Sequence, residues 1–366
     1  MREGVLRVKV VATFEIPYYQ CLNESSQPQS DFPAFAKEPE ALLHLYRLMV
    51  LIRTFDAKAI ALQRTGKLGT YPSTRGQEAM FVGLGAGMAK DDVFVPYYRD
   101  FGTLIQRGAR LRDFLLYWGG DERGNSFGPD NQDFPFSVPV GSQPLHAAGI
   151  ATAIKLRKEK RAVAVVCGEG GTSEGDFYEA MNVAGVWKLP VVFVVNNNQW
   201  AISVPRNAQT ATCTIAQKAI AAGFAGEQVD GNDVIAVRAR VEAAMQKARE
   251  QHEPTLIEII TYRQSDHTTA DDARRYEPEG IREKEWAKEP IGRLRKYLVS
   301  LHLWDDAKEH ALEAECAATV DAEVTAYLQT KPQAPESMFD HLYETLPAIY
   351  HDQREDVKHK EIASHG

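Results

Sequence analysis

Apolar residues are spaced in two different rhythms along this chain. Over ALLHLYRLMVLIRTFDAKAIALQRTG, residues 41–66, they recur at helical spacing, which predicts a long helix stopping at Gly66. The turn YPSTRG (71–76) leads into a second helix within QEAMFVGLGAGM (77–88). Three other runs, RAVAVVC (161–167), LPVVFVV (189–195) and PTLIEIITYR (254–263), are short, continuous and β-branched. That is the pattern of strands covered on both faces in a parallel sheet. The helical candidates FYEAMNVAGVWK (177–188) and DVIAVRARVEAAMQKARE (233–250) separate them. The alternation predicts an α/β fold, a doubly wound and mostly parallel sheet flanked by helices, with ligands at the carboxyl ends of strands.

The flanks read differently. CLNESSQPQSDFPAFAKEPE (21–40) is rich in Ser, Pro, Gln and Glu, so residues 1–39 are expected to form an extended lead-in without a core of their own. The folded body then begins near Glu40 and the α/β domain spans 40–280. After Tyr276 come charged helical stretches with no strand-like run, a C-terminal helical segment over 281–350 that packs on the sheet or on a partner. HDQREDVKHKEIASHG (351–366) reads as a frayed tail.

Composition narrows the function classes. A formal net charge of -8 supplies no basic surface for nucleic acid or an anionic membrane. No apolar run is long enough to span a bilayer. The four cysteines form no C-x-x-C pair and no short Cys/His cluster, which argues against a disulfide framework or a zinc site and for a reducing compartment. The N-terminus lacks the features of a secretory signal, so the cytoplasm is the expected location.

The chemistry concentrates where two strand-like runs end. RAVAVVC delivers Gly168, Glu169, Gly170 and Gly171, whose backbone N–H groups can approach a phosphate closely. An acidic side chain beside a bound anion needs a cation between them, and Mg²⁺ suits hard oxygen donors that bridge protein and phosphate. The next run ends in Asn196, Asn197 and Asn198, which offer neutral amide oxygens. If the two strands are neighbours, their ends meet. The turn is neither a P-loop nor a dinucleotide fingerprint, since Ser173 stands where the third glycine belongs.

With YPSTRGQEA (71–79), YYRD (97–100), GSQPLHAAG (141–149), the GEGG…NNN run and TYRQSDHTTADDARRY (261–276) in this order, the chain closely resembles one thiamine diphosphate-dependent family. It looks like the alpha subunit of the decarboxylating component of the 2-oxoacid dehydrogenase complexes, over about residues 40–330. The resemblance implies thiamine diphosphate and Mg²⁺ as cofactors. Glu169, Asn198 and the backbone carbonyl of Trp200 would ligate the metal, while Tyr98, Arg99 and His267 would hold the diphosphate. Gly168, Gly170 and Gly171 would line the cofactor, and Val138 and Val140 match positions of backbone contact to its rings. His267 is the catalytic candidate, and His146 is a further site candidate. Thr268 and Thr269 lie where eukaryotic relatives carry a regulatory phosphoserine.

Glu169 departs from the usual Asp, a feature shared with members acting on branched-chain 2-oxoacids. The segment LLYWGGDERGNSFG (115–128) instead looks like the pyruvate-type members, and pyruvate is the favoured substrate. The sequence has room for only one α/β domain. The resemblance therefore implies a beta subunit that supplies the activating glutamate, in a heterotetramer of two alpha and two beta chains with two shared sites. The acyl group would pass to a lipoyl domain carried on the core of the dihydrolipoyl acyltransferase component. Rival readings are a non-catalytic magnesium-binding relative and a nicotinamide-dependent oxidoreductase.

Overall fold

A computed structural model describes residues 9–128 and 131–358 of the chain. Six parallel strands form its sheet: β1 (Tyr18–Tyr19), β2 (Val93–Val95), β3 (Val163–Gly168), β4 (Val191–Asn197), β7 (Ala225–Asp230) and β8 (Thr255–Ile260). They lie in the order β1-β7-β8-β4-β3-β2. A separate antiparallel hairpin, β5 (Trp200–Ala201) and β6 (Val204–Pro205), follows β4.

The central strands are buried on both faces, which is why they read as unbroken apolar runs. Ala164 and Val166 of β3, with Val192 and Val194 of β4, point to the face covered by the helices Glu78–Gly87 and Val234–Gln251. Val163, Val165 and Cys167, with Val191, Phe193 and Val195, point to the helices Gln143–Leu156 and Gly175–Trp187. Each fully buried Val or Ile contributes roughly 1.5–3 kcal/mol, so the two layers hold β3 and β4 firmly at the site they deliver. The helix Glu78–Gly87 sits unusually near its neighbour because it presents glycine there. A Cβ on Gly83 would fall 2.6 Å from Val237 Cγ1.

The long helix runs Pro39–Arg64, and Gly66 at φ 73° ends the turn that stops it. The start of the folded body needs correction. Residues N-terminal to Glu40 join the fold: β1 pairs with β7, and Leu22 is buried in the core. The backbone N–H groups of Cys21 and Leu22 donate to the Asp233 carboxylate at 2.6 and 2.7 Å. Asp233 also caps the helix Val234–Gln251, so one carboxylate ties the N-terminal segment to a core helix.

After β8 the described residues are helical or irregular, with helices at Ile281–Trp286, Pro290–Ser300 and Asp306–Leu328. The expected frayed tail instead begins as a helix, His351–Lys358, with no buried residue; its remainder, 359–366, lies outside the described residues. Among the described residues no helix is long and apolar enough to cross a membrane.

Candidate active site

The register places Gly168 at the end of β3 opposite Asn196 of β4, so the glycine-acid turn and the asparagine run meet as their sequence positions suggested. A cavity of about 290 Å³ opens there. Tyr98, Arg99, Val140, Gly168, Glu169, Gly170, Gly171, Asn198, Trp200 and His267 all line it. Val138 is half-exposed and outside that lining, and His146 lies on the surface against the ring of Phe134.

At one end of the cavity is Glu169, the first residue of a 3-10 turn running to Ser173. Its side chain is buried, Oε2 accepts from the backbone N–H of Asn198 at 3.2 Å, and Oε1 has no hydrogen-bond partner. Burial pushes its carboxyl up to about 7, against the pull of the Asn198 N–H and the Arg263 and Arg99 charges. Asn198 contributes an amide whose Oδ1 accepts from the Trp200 N–H at 3.2 Å. Gln199 between them adopts φ 76°, and this left-handed turn brings Trp200 back over its neighbour. No group of three or more His, Cys, Asp or Glu side chains able to hold a metal occurs among the described residues. A cation here would therefore rest on one carboxylate plus amide and backbone oxygens, which is a donor set for a hard ion.

The other end is cationic. Arg99 is fully buried, donating from Nη1 to Ser73 O and from Nη2 to His267 O at 3.0 Å, while its Nε has no partner. Sequence reasoning missed Arg263, equally buried, whose Nη2 donates to Ile202 O at 2.9 Å and Tyr276 Oη at 2.8 Å. Its nearest carboxylate is Glu277 at 4.0 Å. Two buried guanidinium groups with so little counter-charge form a site that an anion would stabilise. The signal for Arg263 was its place four residues before His267, but only folding shows that it turns inward.

His267 sits between them. Its Nδ1 is 3.4 Å from both Arg99 Nη2 and Arg263 Nη1. Guanidinium groups only donate, so Nδ1 carries the lone pair and Nε2 the proton. Burial, reinforced by the Arg99 and Arg263 charges, lowers its pKa to about 3. The loop is tied within the chain: Asp271 accepts from the His267 N–H at 2.9 Å and from the Tyr276 hydroxyl. Thr269 Oγ1 accepts from the Tyr71 N–H at 3.0 Å, which occupies that hydroxyl internally.

The sequence model of the family described as the dehydrogenase E1 component matches residues 46–336. The chain belongs to that family. A relative from Acholeplasma laidlawii, named pyruvate dehydrogenase E1 component subunit alpha, is 39% identical over 323 residues, covering 87% of this chain and 93% of its own. Relatives of the same name from Staphylococcus aureus (39%) and Staphylococcus epidermidis (38%) align over 324 residues, 88% of this chain and 87% of theirs. The E1 family assignment and the parallel six-stranded sheet agree with the fold and the thiamine diphosphate-dependent family expected from the motifs.

Proposed function

We propose that this chain is the alpha subunit of a pyruvate dehydrogenase, an oxidoreductase that uses thiamine diphosphate and Mg²⁺ to decarboxylate pyruvate and acylate a lipoyl group. One observation carries the reading: a single cavity is lined by Glu169, a buried carboxylate with an orphaned oxygen, and by the buried guanidinium of Arg99, with Arg263 outside the lining and 3.4 Å from His267. A metal-bound diphosphate satisfies both ends at once. Glu169, Asn198 and the Trp200 carbonyl would hold Mg²⁺, and Tyr98, Arg99 and His267 the diphosphate. Gly168, Gly170 and Gly171 leave the floor open to it. The chemistry supplied by bound thiamine diphosphate is carbanion addition to the 2-oxo carbon and acceptance of the electrons left when CO₂ departs. His267, neutral and protonated on Nε2, can donate a hydrogen bond to a phosphate or a reacting carbonyl without adding a third cation.

The names of the relatives support pyruvate. Glu169 favours the branched-chain alternative. A beta subunit, in a heterotetramer of two alpha and two beta chains, would close the site, and the acyltransferase component would receive the acyl group. Co-expression with the neighbouring beta-subunit candidate, thiamine diphosphate and Mg²⁺, followed by artificial-acceptor reduction, tests this. Faster turnover of pyruvate than of 3-methyl-2-oxobutanoate is expected. The reverse preference would move the chain to the branched-chain class, and no turnover of either despite cofactor binding would sink the catalytic reading.

A further inference from the structure

An amide ligand works through one end only. The carbonyl oxygen of Asn198 can coordinate a cation and its NH₂ cannot, so whatever decides the rotation of that amide decides whether the candidate metal site exists. Two groups hold it. The Trp200 N–H, which can only donate, faces Oδ1 at 3.2 Å. On the other side, Asn198 Nδ2 donates to Gln77 Oε1 at 3.2 Å.

Gln77 is itself oriented from outside the cavity. It precedes the helix Glu78–Gly87, is fully buried, and is absent from the cavity lining. Its Oε1 accepts a second amide N–H, Asn196 Nδ2 at 2.9 Å. Asn196 is fixed in turn, because its Oδ1 accepts from Thr261 Oγ1 at 2.8 Å and its Nδ2 also reaches Tyr97 Oη at 2.9 Å. Rotating the Gln77 amide would set its NH₂ against two other NH₂ groups. The observed orientation leaves Gln77 Nε2 buried with no partner, a cost of roughly one unmade hydrogen bond. A side chain that served packing alone would avoid that orphan; Gln77 accepts it while presenting its oxygen to both asparagines.

We propose that Gln77 is a positioning residue for metal binding: it sets the rotation of the Asn198 amide so that oxygen, not nitrogen, is available to the cation. This rests on the assignment of Glu169 and Asn198 as magnesium ligands and names a residue that supports them from a different part of the chain. The five parts of the chain involved are the turn before the helix Glu78–Gly87, the segment after β2, the end of β4, the residue after β8 and the β5 hairpin. Groups that orient metal ligands in this way commonly account for 10- to 100-fold in affinity.

The test uses the chain assembled with its beta subunit and thiamine diphosphate, with Mn²⁺ as the probe and free Mn²⁺ read by EPR. Gln77→Met is introduced into the parent and into Asn198→Asp, whose carboxylate presents oxygen in either rotation. In the parent the substitution is expected to weaken Mn²⁺ binding about tenfold, and in the Asn198→Asp variant by less than about threefold. Equal losses in both would show that Gln77 only packs, and no loss in the parent would also overturn the proposal. Asn198→Ala separates the two levels: if it leaves Mn²⁺ affinity unchanged, the metal assignment itself fails, whereas a loss there without a loss for Gln77→Met defeats only the role of Gln77. Should Gln77→Met not assemble, Gln77→Glu carries the test. It keeps an acceptor for both amides, so Mn²⁺ affinity should stay within about threefold of the parent or tighten, and a loss of about tenfold or more would overturn the proposal.

Discussion

Glu169 shows how a single side chain can be costly to the fold and useful to the site. With one oxygen orphaned and its carboxyl raised to about 7, it is a buried charge at pH 8 that nothing in the chain neutralises directly. Glu169→Gln should therefore stabilise the ligand-free protein by roughly 1–3 kcal/mol at pH 8 while lowering metal-dependent thiamine diphosphate affinity at least about tenfold. Chemical denaturation and calorimetric titration read the two effects separately, and a variant that lost stability would contradict the assignment of a strained carboxylate. His267 has the opposite displacement. Its folded pKa, about 3, lies below the value near 6.5 of the unfolded chain, so between those values the unfolded state binds the extra proton. Stability contributed at neutral pH is lost as pH falls through that window, at up to about 1.4 kcal/mol per pH unit. Replacing His267 by Asn should flatten the slope of stability against pH from 6.5 downward, as urea midpoints at several pH values would reveal.

At the level of elements, the site depends on how closely the turn after β3 approaches the β5-β6 hairpin. A Cβ on Gly170 would lie 2.8 Å from Ala201 Cβ, so the glycine is required by contact rather than by backbone conformation. Gly170→Ala should cost about 1–3 kcal/mol and weaken cofactor binding, whereas adding Ala201→Gly should restore most of both. Thermal melts of the two single variants and the double variant decide this; failure of the pair to compensate would place the strain elsewhere. The same turn is held from behind by residues the sequence did not mark. Lys218 Nζ donates to Thr172 O at 2.7 Å, Thr172 Oγ1 donates to Glu169 O at 2.7 Å, and Gln209 Nε2 donates to Glu169 O at 3.1 Å. Ile202, at φ 56° on the opposite lip, offers its carbonyl to Arg263. A β-branched residue in that conformation is strained, and the hairpin turn and the Arg263 bond sustain it.

The whole chain leaves apolar side chains uncovered. Val140 and Ile202 at the cavity, Val138 nearby in sequence, and Tyr178, Val186 and Trp187 on the helix Gly175–Trp187 are all exposed. The chain purified alone is expected to show no 2-oxoacid turnover, and light scattering after mixing with its beta subunit should report a heterotetramer together with the appearance of activity. Activity of the lone chain would overturn this. Much of the architecture was legible beforehand, because strands covered on both faces must be apolar throughout and helices covered on one face must be apolar every third or fourth residue. β1, β2 and β7 escaped because the first two have only two and three residues and the third, AGEQVD, carries polar side chains that pair locally, as Glu227 does with Arg240. The asparagines mark the boundary most sharply. Sequence alone determined that three amides end a buried strand beside a glycine-acid turn. The strand pattern could not separate Asn196, tied to Gln77, Tyr97 and Thr261, from Asn197, bound to Glu258, or from Asn198, which faces the cavity and which only the family resemblance singled out. Strand alternation and the left-handed turn at Gln199 aim three identical side chains at three different neighbours, and those neighbours come from distant parts of the chain that only the tertiary fold brings together.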